Sequence, residues 1–210
     1  MNQAAGAFFS RSITQRLLGV ALLIGMLLSA SSCTPAKPQF KSVDITGIDY
    51  AHQLSLTDDS GKPRQLSDYR GKVVIVFWGY TSCPDVCPIT LAELASVMKK
   101  LGPQANQVQV LFVTFDPERD SPAVMKRYLA NFNPSFVGLT GSDAQIQSAA
   151  KDFKVFYQKV DGPTADSYTI DHQAVSYVFD KSGAPRLYVV DSTKQDDWVH
   201  DLKILLDSKS

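Results

Sequence analysis

Six consecutive residues, Val73-Val74-Ile75-Val76-Phe77-Trp78, are apolar without interruption, and a cysteine-bearing turn and a helical pattern follow them directly. A run so rich in β-branched and aromatic side chains has no polar face to give to water. It predicts a central strand covered on both sides, as in α/β folds with parallel strands. Leu91, Leu94, Ala95, Met98 and Leu101 then recur at helical spacing, and Gly102-Pro103 stops the pattern. Val108 to Phe115 is a second apolar run. Strand, helix and strand in that order imply a parallel pair joined by a right-handed crossover.

The remaining elements extend this unit. Leu54-Ser55-Leu56 and Arg64-Gln65-Leu66 flank Asp58-Asp59-Ser60-Gly61-Lys62-Pro63 and predict a short N-terminal hairpin. Ser121-Pro122 opens a helix, Phe136 to Leu139 reads as a short strand, and Asp143 to Phe153 as a further helix. Val175 to Asp180 and Arg186 to Val190, joined through Lys181-Ser182-Gly183, form the clearest hairpin, and Asp196 to Leu206 closes as a helix. The segment 158–170 carries no such pattern and reads as a loop. The order matches a thioredoxin-like α/β architecture.

The N-terminal residues differ in kind. Residues 1–32 hold no Asp or Glu, only Arg11 and Arg16, and Leu17 to Leu28 are unbroken apolar sequence. A positive region, a short apolar region and small residues are the order of a secretory signal, and the apolar stretch is short of the roughly 20 residues that a spanning helix needs. Ala30-Ser31-Ser32-Cys33 resembles a bacterial lipobox, with Ala where Leu is the stronger match. The expectation is a lipoprotein-type signal peptide over 1–32, a lipidated Cys33 with a tether over 33–43, and a folded domain over 44–210. Removing residues 1–33 takes Arg11 and Arg16 from the 21 Lys and Arg, leaving 19 against 21 Asp and Glu. No basic surplus points to nucleic acid. Two cysteines remain in that domain, Cys83 and Cys87. In an oxidising exported compartment they are expected to act together.

Both lie in Phe77-Trp78-Gly79-Tyr80-Thr81-Ser82-Cys83-Pro84-Asp85-Val86-Cys87-Pro88, between the strand and the helix. Proline lacks an N–H and is poorly tolerated inside a helix, so regular helix is expected from about Pro88, with the cysteines on the turn before it. Free N–H groups and the helix dipole favour an anion there, so a thiol ionises more easily, and thiolate is the form that binds metal and attacks disulfides. Cysteines four apart can chelate one metal ion or join as a disulfide. Soft thiolates favour Cu(I) or Zn(II), and two cysteines exclude a four-sulfur zinc site. Low-coordinate Cu(I) needs one more donor, such as an imidazole from His52, His172 or His200. A lone His is more often a surface or capping residue. His172 stands where a loop can fold over the cysteine turn.

The cysteine segment resembles the signature of the Sco/SenC family. Thr114-Phe115-Asp116-Pro117-Glu118-Arg119-Asp120-Ser121-Pro122 and Tyr168-Thr169-Ile170-Asp171-His172 resemble it too, so that the likeness spans residues 44–207. The resemblance implies a thioredoxin-like fold with an extra N-terminal β-hairpin, and copper held by Cys83, Cys87 and His172. It implies a copper metallochaperone, not an enzyme, that carries Cu(I), and in some states Cu(II), to the dinuclear copper centre of cytochrome c oxidase subunit II. Other exported copper chaperones or thiol reductants are further expected partners, and the chain is expected on a membrane, facing the periplasm or another extracytoplasmic space. Many relatives keep a transmembrane helix where this chain carries a lipobox-like motif.

A thiol–disulfide reductase acting through Cys83 and Cys87 is the alternative. A peroxiredoxin reading fails, because those enzymes carry Thr three residues before the reactive cysteine, and Tyr80 and Pro84 stand there instead. Asp85, Asp116 and Asp171 are candidate supports for the site. Asp85 is more readily a helix-capping carboxylate. Asp116, Arg119 and Asp120 are expected to lock their loop. Asp171 is a candidate orienter of His172, although neighbours on an extended chain point to opposite sides. Trp78, Met98 and Met125 read as core, and Tyr80 as the edge of the site.

Overall fold

The computed structural model describes residues 38–164 and 167–208. The expected signal peptide, Cys33 and residues 34–37 lie outside the described residues. Among those described, no helix is long and apolar enough to cross a membrane.

In the described residues, ten strands and four α-helices follow one another. They are β1 (Val43–Asp44), β2 (Ser55–Asp58), β3 (Pro63–Gln65), β4 (Val73–Gly79), α1 (Val86–Leu101), β5 (Val108–Thr114), α2 (Pro122–Ala130), β6 (Val137–Thr140), α3 (Asp143–Asp152), β7 (Tyr157–Asp161), β8 (Tyr168–His172), β9 (Val175–Phe179), β10 (Pro185–Val190) and α4 (Gln195–Asp207). Eight strands form one sheet in the order β1-β10-β9-β4-β5-β6-β2-β3, and β7 and β8 pair separately. The β4–β5 and β5–β6 pairs are parallel; the other neighbours are antiparallel.

The continuous apolar run is the central strand β4, and every residue of β4 and β5 is buried. Two right-handed crossovers in the strand order 4-5-6 carry α1 and α2 to one face of the sheet. Phe112, in register with Phe77, meets Tyr128 of α2 on that face. Trp78 points the other way and packs on Phe115 and on Phe153 at the end of α3. Helices therefore cover both faces, in a thioredoxin-like arrangement with β2 and β3 as the additional hairpin on the β6 edge.

Order begins before the expected boundary at residue 44. Lys41 and Ser42, expected as tether, each donate a backbone N–H at 2.8 Å to the buried Asp201 of α4, and Val43 pairs with Tyr188. A second difference is larger. Within the segment 158–170, residues 158–161 and 168–170 are not loop but strands of the β7–β8 hairpin, with Tyr157 opposite His172. Its residues are largely solvent-facing, and only Ile170 is fully buried, so apolar alternation is too weak to mark it.

Candidate metal centre

Gly79 ends β4, and the chain must turn at once into the cysteine segment. A Cβ on Gly79 would stand 2.7 Å from Cys87 Sγ and 2.8 Å from Phe112 Cε2, so only glycine lets the second cysteine lie flat on the strand end. Sequence reading assigned Gly79 no role, although a glycine closing a buried strand signals close approach.

Asp120 fixes the turn that follows. It is fully buried and accepts from Thr81 N at 2.9 Å, from Thr81 Oγ1, and from Thr114 Oγ1 at 2.6 Å. Burial pushes its carboxyl upward against these bonds. The expected lock formed by Asp120 thus reaches across to the cysteine turn. Thr81 and Thr114 are partners that the sequence did not mark.

Helix α1 starts at Val86, two residues before the expected start, so Cys87 lies in its first turn and Pro88 at the third position. The first N–H groups of a helix have no intrahelical partner, so a proline there forfeits no bond. The Asp85 side chain makes no capping hydrogen bond, contrary to the capping expectation. Its backbone N–H, with that of Cys87, is directed at Cys83 instead.

Both thiols are free and buried, Cys83 9% exposed and Cys87 0%. They do not ionise alike. The hydrogen bond from Cys87, with those backbone N–H groups, holds Cys83 down to about 4 against the opposing effect of burial. Cys87 is pushed well above the ordinary thiol range, first by Cys83 beside it and then by burial. The helix-start argument thus holds for Cys83 and fails for Cys87, because two adjacent sulfurs do not readily share two negative charges.

His172 arrives at the end of β8. Its Nε2 lies 3.6 Å from Cys87 Sγ, and the Cys83, Cys87 and His172 donor atoms all lie within 4.8 Å of one another. Its Nδ1 is 3.2 Å from the Gln173 carbonyl, which only accepts; a proton on Nδ1 would leave Nε2 free to offer a lone pair to a metal ion beside the sulfurs. Tyr80 stands edge-on to the ring at 5.7 Å and Phe115 lies at 5.3 Å. Tyr80 Oη accepts from Ile170 N at 3.2 Å, tying β8 to the cysteine segment.

Three donors about 2.0–2.3 Å from one ion sit roughly 3.5–4.0 Å apart in a trigonal plane. The triad approaches that spacing, and two sulfurs with one imidazole suit Cu(I). His52 is exposed, and His200 is paired with Asp201 at 2.9 Å. Met98 and Met125 are buried in the core, as expected.

The candidate supports divide. Asp116 pairs with Arg119 and accepts from Tyr168 Oη at 2.7 Å, so it grips the hairpin rather than the sulfurs. Asp171 is exposed on the opposite face of β8 from His172, and the Gln173 carbonyl holds the imidazole in its place.

A thioredoxin-like domain with two free thiols at a strand–helix turn and an imidazole facing them defines a dithiol–imidazole protein with a site suited to holding a metal ion. The family model SCO1/SenC matches residues 44–207. The chain is similar to the SCO2-like protein of Rickettsia felis, 34% identical over 178 residues that cover 82% of this chain and 87% of that one. It is similar to the copper-bound structure of Bradyrhizobium japonicum ScoI, at 37% identity and a TM-score of 0.68, covering 73% of this chain and 97% of that one. It also resembles BsSco, described as a member of the Sco family of cytochrome c oxidase assembly proteins with a disulfide switch. There the identity is 26% and the TM-score 0.62, covering 80% of this chain and 99% of that one. The chain belongs to the SCO1/SenC family.

Proposed function

We propose that this protein binds copper as cargo on Cys83 Sγ, Cys87 Sγ and His172 Nε2 and delivers it during cytochrome c oxidase assembly, to the apo copper site of subunit II. The observation that carries the reading is the convergence of two sulfurs and one imidazole nitrogen within 4.8 Å of one another. Copper in the related ScoI and the assembly role given for BsSco support it. Copper is taken as Cu(I), the state that two soft thiolates favour. Loading needs both cysteines reduced and deprotonated, so entry of the ion displaces the proton that Cys87 retains. Delivery is ligand exchange: partner thiolates replace one donor at a time, and the copper is never free. Exported, and anchored through a lipidated Cys33, the domain would work at the membrane surface where its partner is assembled.

In the test, loaded protein is mixed anaerobically with the apo copper domain of subunit II. Copper is expected to move to that domain, and Cys87→Ala is expected to lose tight stoichiometric Cu(I) binding. Tight binding retained by Cys87→Ala would overturn the ligand set.

A thiol–disulfide role has support of its own in the unequal thiols. Cys83 is the thiolate and attacks a partner disulfide, releasing one partner thiolate. Cys87 then gives up its proton and attacks Cys83 Sγ, releasing the second. Two thiols are oxidised and one disulfide is reduced. His172→Ala separates the roles: copper transfer is expected to fail while disulfide exchange survives.

A further inference from the structure

His172 is borne by an element outside the main sheet. Among the described residues, hairpin β7–β8 pairs with no other strand. Near the imidazole, Tyr157 stacks on Phe115 at 4.6 Å and Ile170 N donates to Tyr80 Oη; the end far from the imidazole is gripped by a set of side-chain contacts. Arg119 pairs with Asp116, donates from Nη1 to the Tyr168 carbonyl at 3.1 Å, and lies 3.6 Å from the centre of the Tyr168 ring. Tyr168 Oη donates to Asp116 at 2.7 Å and reaches Glu118 at 3.1 Å. Along β8, Tyr168, Ile170 and His172 alternate with the exposed Thr169 and Asp171. They therefore share one face, turned to the domain. Tyr168 and His172 are four residues, about 13 Å, apart on one strand.

From these contacts we propose that Arg119 is a positioning residue for the imidazole: through Asp116 and Tyr168 it latches the hairpin onto the domain and so sets whether His172 faces the two sulfurs. The proposal rests on the copper-ligand reading above. A strand is stiff between fixed points, so seating Tyr168 at one end fixes the face that His172 presents at the other. Slippage by one residue would turn the ring to solvent. The latch is built to open. Arg119 Nη2 is buried with no hydrogen-bond partner, so the guanidinium is only partly satisfied where it sits. The hairpin also has few buried side chains to hold it once the latch is released, the mark of a locally unstable element. Opened, the site falls from three donors to two sulfurs, a state suited to giving copper away. A partner that engages Glu118 or Arg119 would thereby promote release.

A double-mutant cycle tests this, in the full chain in detergent with Cys33→Ser throughout so that a third thiol does not compete. Cu(I) affinity is measured against a competing chelator for the parent, Arg119→Met, His172→Ala and the double variant. Arg119→Met is expected to lower affinity about tenfold in the parent and less than about twofold with His172→Ala. In the metal-free protein, ¹⁵N NMR of His172 is expected to show a fixed Nδ1–H tautomer that becomes averaged in Arg119→Met. If Arg119→Met does not fold, Tyr168→Phe removes the hydroxyl contacts alone, with about a threefold loss expected. Equal losses in both backgrounds, or no loss with an unchanged tautomer, would overturn the latch while leaving the ligands in place. Unchanged affinity in His172→Ala itself would overturn the ligand reading, and the latch with it.

Discussion

The sulfur half and the imidazole half of the site are built in opposite ways. Cys83 and Cys87 hang from a strand that is buried at every residue, over a glycine with no room for a methyl group, on a turn tied to the buried Asp120. His172 comes on a mostly solvent-facing hairpin held by an arginine, a carboxylate and two aromatic rings. One half is preorganised and the other is docked. A carrier that must both hold and release an ion can use that difference, since it offers a ligand that leaves without disturbing the core.

The largest expected effects fall on the sulfur half. Asp120→Ala strands three donors, two on the half-buried Thr81 and one on the buried Thr114, and is expected to cost about 3 kcal/mol in denaturant unfolding. A cost under about 1 kcal/mol would show the turn to be held by something else. The thiols should differ almost as sharply. With Cys83 held at about 4, it is expected to be alkylated at pH 6 roughly a hundredfold faster than Cys87, as peptide mapping would reveal. The same asymmetry links stability to pH. Cys83 binds its proton less tightly folded than unfolded, so its contribution is lost as pH falls through about 4, while Cys87, which binds its proton more tightly folded, works against stability above the ordinary thiol value of 9.0. Gly79→Ala drives a methyl group into Cys87 Sγ and Phe112 and is expected to cost about 2 kcal/mol, with weaker Cu(I) binding.

Changes on the hairpin should be milder for the fold. Breaking the exposed Lys159–Glu118 pair with Glu118→Gln is expected to leave the denaturant midpoint of unfolding essentially unchanged. The smallest effect belongs to Asp171→Asn: exposed and facing away from the imidazole, it should change neither stability nor Cu(I) affinity. A clear loss of affinity would restore it as the orienter of His172.

The same contrast explains what the sequence made legible. The sulfur half is written contiguously: a strand with no polar face, a turn with two cysteines, then a helix at regular spacing. Its details were less visible. Pro88 suggested a later helix start than the one observed, and Gly79 gains its meaning only once Phe112, thirty-three residues on, lies beneath it. The imidazole half is not contiguous with the sulfurs, and its strands carry polar residues such as Gln158, Lys159, Thr169 and Asp171. Family resemblance pointed to His172; residue pattern alone left it among three histidines. Tyr168 stood in the family-like stretch with no role of its own, because its partners Arg119 and Asp116 are distant in sequence.

X-ray absorption on the anaerobically Cu(I)-loaded chain, with Cys33→Ser, tests the convergence of the three donors most directly. Two sulfur scatterers and one imidazole nitrogen per copper are predicted, with the nitrogen lost in His172→Ala. Sulfur alone in the parent, with a spectrum identical to that of His172→Ala, would contradict it.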